Sequence, residues 1–109
     1  MDTNIIKINI AIRQREETGY PFESKISQNI IKELKDFEIP EDLYFINFKA
    51  YLRDADLIDI EEYSCTHLLL LKGESEELLD TTRCIRISEM GIINNAHIII
   101  QLPKKIHDY

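Results

Sequence analysis

Arg86-Ile87-Ser88-Glu89-Met90-Gly91-Ile92, followed after five residues by Ile98-Ile99-Ile100-Gln101-Leu102, is the stretch whose reading decides the fold. Ile87 and Ile92 bracket a short turn that can aim both side chains inward. Ile93-Asn94-Asn95-Ala96-His97 is then a tight polar turn leading into a strand. Side chains alternate along a strand, so if Ile98 and Ile100 point inward, Ile99 and Gln101 point outward.

Toward the N-terminus, Ile6, Ile8, Ile10 and Ile12 alternate with Lys7, Asn9, Ala11 and Arg13. That period of two predicts a first strand with four isoleucines on one face. Gln14 to Gly19 reads as a hairpin loop, and Tyr20 to Ser24 as the returning strand. Pro21 has no N–H to give to a ladder, which places that strand at a sheet edge. Ile26, Ile30, Leu34 and Phe37 are spaced by four, four and three, which predicts an amphipathic helix capped by Ser24 or Ser27 and stopped before Pro40.

Tyr44, Ile46, Phe48, Ala50 and Leu52 are apolar and two apart, which reads as a third strand whose other face carries Phe45, Asn47 and Lys49. Tyr44, Phe48, Tyr51 and Leu52 also fit helical spacing. The acid-rich segment Asp54 to Thr66 is a short helix or an extra hairpin, and His67 to Lys72 a compact buried strand. Glu76 to Arg86 is expected to be a loop with one short ordered piece.

Composition fits one domain spanning residues 1–109, with an elaboration at about 54–66. Twenty isoleucines and no valine or tryptophan suit strands. Thirteen basic against twenty acidic residues leave a net charge of −7, which disfavours nucleic-acid backbones as partners. No apolar run reaches membrane-spanning length, so no membrane insertion is expected. Two cysteines and no evident leader before the first strand predict a cytoplasmic protein.

These segments together resemble the ubiquitin-like β-grasp family. The resemblance rests on the first hairpin, on the Ile26/Ile30/Leu34 helix ending near Pro40, and on the Ile87–Ile92 turn with Ile98–Ile100. It implies an α+β fold, a mixed sheet crossed by one main helix with the last strand parallel beside the first, and here an enlarged middle region. The chain ends Lys104-Lys105-Ile106-His107-Asp108-Tyr109 without Gly-Gly, so covalent conjugation and sulfur carriage are not expected. The short second strand, the single helix and the Glu89–Asn95 closure are similar to small bacterial ubiquitin-like proteins of the YukD type. That similarity implies a cytoplasmic accessory or regulator of a type VII secretion system.

No catalytic constellation stands out, and neither a cofactor nor a metal is expected. Cys65-Thr66-His67 lacks the second ligand pair that tetrahedral zinc uses. Cys84, between Arg83 and Arg86, has no nucleophile elbow or glycine-rich oxyanion loop beside it. The expected site is the sheet face away from the helix: Ile99, Gln101, Phe45, Asn47 and Lys49, binding a protein partner or a second copy in a homodimer. The competing expectation is a small acidic inhibitor from a phage or mobile element. It would occupy a basic groove through the Asp54–Glu62 and Glu74–Asp80 clusters.

Overall fold

The computed structural model describes residues 4–18 and 25–105. Five strands form one mixed sheet: β1 (Ile5–Thr18), β2 (Lys25–Pro40), β3 (His67–Lys72), β4 (Ser75–Leu78) and β5 (His97–Lys105). Their spatial order is β2-β1-β5-β3-β4. β1 and β5 run parallel, and every other neighbouring pair is antiparallel. One helix, α1 (Phe48–Asp54), lies between β2 and β3 in the chain.

The sheet's inner face holds the core. Ile6, Ile8, Ile10 and Ile12 are all buried, as their alternation demands. The register sets Ile10 beside Ile98 and Ile12 beside Ile100, then Leu70 beside Ile98 and Leu68 beside Ile100. Phe45, Phe48, Leu52, Leu57 and Ile58 cover this face from the segment between β2 and β3, with Leu79, Ile87 and Ile92 closing its margin. The rings of Phe45 and Phe48 stack with centroids 5.9 Å apart.

The closing segment follows its sequence. Residues Ile87–Met90 form one 3-10 turn with Ile87 and Ile92 both fully buried. The Glu89 carboxylate accepts from the Arg86 backbone N–H at 3.3 Å, which explains an acid at that position. Gly91 takes φ 87°, where an L side chain is strained. The Asn94-Asn95 turn docks on the start of β1: Asn94 Oδ1 accepts from Lys7 N at 2.9 Å, and Asn95 N donates to Lys7 O at 2.8 Å.

Three expectations are corrected. The segment predicted as a helix over 26–37 is strand β2, paired with β1 along its length. Its inward residues Ile39, Phe37 and Leu34 are spaced by two and then three, because a register shift opposite Asn9 inserts one residue. Asp36 sits in that bulge with φ 57°. The bulge thus supplies the spacing of three between Leu34 and Phe37, while Ile30, which a helix would set on the same stripe, pairs with Arg13 on the other face. β-branched isoleucines and a long partner strand decide the outcome.

Residues 14–18 are likewise part of β1 rather than a loop, and the returning strand expected at Tyr20–Ser24 lies outside the described residues. The third strand predicted over 44–52 is instead a 3-10 turn (Phe45–Asn47) leading into α1. Phe45, Phe48, Lys49 and Leu52 are buried at spacings of three, one and three, a helical face. Asp56, with φ 62°, ends it: the Leu57 N–H returns to Leu52 O at 3.0 Å. Residues 55–66, where a short helix or an extra hairpin was expected, are a run of turns with a 3-10 turn at Tyr63–Cys65.

β3 spans the predicted His67–Lys72, and Gly73, with φ 61°, turns the chain into β4. β4 thus supplies a short ordered piece at the start of the Glu76–Arg86 stretch, which was expected to be a loop with one such piece.

Candidate interaction face

The outer face of the sheet is organised in rows that run across the strands. Ala11 on β1 pairs with Ile99 on β5, Ile99 with Leu69 on β3, and Leu69 with Leu78 on β4. Directly paired residues project from the same face, so these four side chains make one apolar row. Three strand spacings of about 4.8 Å give the row a length of about 14 Å. Ile99 and Leu69 are half-buried, whereas Leu78 is 62 % exposed.

Polar rows flank it. On one side Arg13 pairs with Gln101, and Gln101 with His67. Arg13 Nε donates to Gln101 Oε1 at 2.6 Å, and its Nη1 reaches Glu76 of β4, donating to Oε2 at 3.1 Å. This ion pair joins β1 to β4 across the two strands between them, and it passes over the apolar row, because Glu76 pairs with Leu71 on that row's other side. On the other side Asn9 pairs with His97, and Leu71 with Glu76. The small Ala11 side chain leaves a groove of about 510 Å³ among Ile30, Glu33, Leu71, His97 and Ile99. Among the described residues, the layer that buries the inner face has no counterpart on this one.

The predicted site residues divide. Ile99 and Gln101 stand on the outer face as expected. Gln101 is held by Arg13 rather than free to turn, and its Nε2 also donates to the carbonyls of Arg13 and Leu102, each at 3.3 Å. Phe45 is not on that face: it is completely buried in the layer on the opposite side, its N–H donating to Ile85 O at 2.6 Å. Asn47 is exposed at the end of the 3-10 turn, away from the sheet.

Lys49 is buried on α1, its ammonium 4.7 Å from the centre of the Tyr63 ring, which Arg53 also approaches at 5.0 Å. Burial lowers the Lys49 pKa from its usual value, and the nearby Cys65 thiol acts in the opposite sense. Leu69, Leu71, Leu78 and Ala11 were not anticipated as face residues. The period-two rule applied to His67–Lys72 would have found Leu69 and Leu71 once Leu68 and Leu70 are set inward.

Elsewhere, Asp54, Asp56 and Asp59 line an open depression of about 620 Å³ with Arg53, Ile58 and Ile60. Cys65 and Cys84 are both exposed, and His67 stands on the outer face. Among the described residues, no helix is long and apolar enough to cross a membrane. What the outer face offers chemically is apolar contact along its middle row and hydrogen bonding along its rim. Comparison with known protein families, with characterised proteins and with solved structures finds no match for this chain.

Proposed function

We propose that the protein is a noncatalytic interaction module that docks a protein partner through the outer face of its sheet. The observation that carries this reading is the apolar row Ala11–Ile99–Leu69–Leu78, partly open to solvent and most so at Leu78, beside the Arg13–Gln101 row. An apolar centre with a polar rim is the anatomy of a protein–protein contact. Since each side of a stable interface buries about 800 Å², the row would form the centre and the polar rows would engage as well.

A β-grasp, ubiquitin-like assignment is part of the same proposal. Its support is the parallel pairing of the first and last strands and the single helix between β2 and β3. The narrower reading, a cytoplasmic accessory of a type VII secretion system, rests on the closing turn and strand. The helix that the resemblance placed at 26–37 is a strand and does not support it. The competing acidic-inhibitor reading draws on the exposed carboxylates around the 54–60 depression.

Affinity capture from the native host, with wild type beside Ile99→Asp and Leu78→Asp, tests the proposal. Both variants are expected to keep the wild-type circular dichroism and lose the captured partner. Capture of secretion-machinery components favours the narrower reading. Undiminished capture by both variants sinks the outer-face site, and binding that collapses with added salt but ignores both changes favours the acidic inhibitor.

A further inference from the structure

The free edge of β2 carries an arrangement that the outer-face reading does not use. β2 is an outermost strand, paired to β1 on one side only, and its 16 residues make it the longest of the five. Tyr51 Oη donates to Glu38 O at 3.3 Å near the C-terminal end of β2. From Ile30 to Asp36, no other strand lies alongside the outer edge among the described residues. Such an edge presents unpaired N–H and C=O groups to any strand that can align with it.

The side chains there have an unusual order. Lys32, Glu33, Lys35 and Asp36 are exposed and surround the half-buried Leu34. None of the four charges enters an ion pair with a described residue. Turned antiparallel about Leu34, the segment complements itself. Glu33 falls opposite Lys35 of a second copy and Leu34 opposite Leu34, while Lys32 comes toward Asp36 at the bulge that ends the regular edge. Shifting the register by one residue in either direction sets lysine against lysine or acid against acid. Exposed Ile30 and Ile31, 57 % and 58 % accessible, flank the segment and gain cover on pairing.

The other edge of the sheet has the opposite character. β4 is four residues long, and its two glutamates are already engaged, Glu76 by Arg13 and Glu77 by Lys72. A second β4 laid against it would bring acids toward acids.

We propose that the β2 edge pairs antiparallel with β2 of a second copy of this chain, about a two-fold axis at Leu34, so that two sheets become one. The contact is isologous and closes at the dimer. The bulge at Asp36 and the register shift beside Ile31 bound the regular part of the edge, which limits pairing to this charged window. Because Glu33, Lys35 and Ile30 also border the outer-face groove, the two grooves of a dimer would meet across the axis.

Sedimentation equilibrium of wild type, Lys35→Glu, Glu33→Lys and the double exchange Glu33→Lys/Lys35→Glu tests this. Both positions of change are exposed, and circular dichroism verifies the fold of each variant. Wild type is expected to dimerise at low salt. Each single reversal creates two like-charge contacts per dimer and raises the dissociation constant about ten-fold, while the double exchange restores it to within about three-fold. A wild type that stays monomeric at millimolar concentration overturns the proposal. So does a series without rescue by the double exchange, or an open-ended polymer in place of a dimer. Ile99→Asp should leave the dimer intact; if it dissolves the dimer and the charge changes do not, the copies meet face to face and the edge proposal falls.

Discussion

The two faces of the sheet are built from the same strands and differ by one residue of offset. On β5, Ile98 and Ile100 are 1 % and 0 % exposed, while Ile99 between them is half-buried on the other side. The inner set is enclosed by α1 and the turns that follow it, so each methyl group there has neighbours all round. The outer set has neighbours only within its own sheet. Charge is handled differently as well. Arg13 on the outer face is held by Gln101 and Glu76, whereas Lys49 on the inner side is buried against an aromatic ring. The comparison teaches that one offset of the same alternation is sealed under a packed layer, while the other, among the described residues, keeps part of its apolar surface in solvent.

The largest test of that difference is a pair of identical truncations at adjacent positions. Ile100→Ala opens a cavity at the centre of the inner face and should cost about 2–5 kcal/mol. Ile99→Ala, losing partly solvated area, should cost about 1 kcal/mol. Urea unfolding followed by circular dichroism measures both, and equal losses would mean that the outer face is covered after all.

A smaller effect is expected at Gly91, whose turn aims Ile87 and Ile92 into the inner face. An alanine there must adopt φ 87° and sets its Cβ 3.2 Å from Leu70 Cδ2. Strain and crowding together should cost about 1–2 kcal/mol. The midpoint of thermal unfolding is the readout, and an unchanged midpoint would show that the turn relaxes freely.

The smallest effect concerns the buried cation. Lys49→Met removes a desolvated charge and a cation–π contact of about 0.5–1 kcal/mol, two changes of opposite sign, so stability at neutral pH should barely move. The pH dependence is more telling. Burial sets the folded pKa of Lys49 below the ordinary lysine value of 10.5. Between the two values the unfolded chain holds the proton and the folded chain does not, so wild-type stability rises with pH there. Below that window both states are protonated and the burial penalty is complete. Wild type should therefore gain on Lys49→Met as pH climbs toward 10.5, measured by paired urea titrations. A constant difference would place the ammonium in water.

The sequence was legible where local chemistry and tertiary pairing agree. Ile6 to Ile12 alternate without interruption, and Ile87-Ser88-Glu89-Met90-Gly91-Ile92 carries an acid, a glycine and two apolar anchors at fixed positions, each with one structural use. It was illegible in β2 because two register irregularities interrupt the period of two with spacings of three. The same ambiguity ran the other way over 44–52, where Phe45 and Phe48, rather than the alternating set, are the buried pair. On the outer face, Ile99 and Gln101 could be read from alternation alone. Leu69 and Leu78 needed the register of β3 against its two neighbours, which no local pattern contains.

The order β2-β1-β5-β3-β4 makes β5 the bridge between two antiparallel hairpins, β1–β2 and β3–β4. Each hairpin closes over a short stretch of chain, but Arg13 and Gln101 are 88 residues apart. Contacts of such long range form slowly. During synthesis the two hairpins emerge first and have no common neighbour until His97–Lys105 leaves the ribosome and inserts between them. Of the five strands, the one made last is thus the keystone of the sheet. A chain truncated before His97 would leave two ribbons with unmatched edges, in the condition most prone to pair with the wrong molecule.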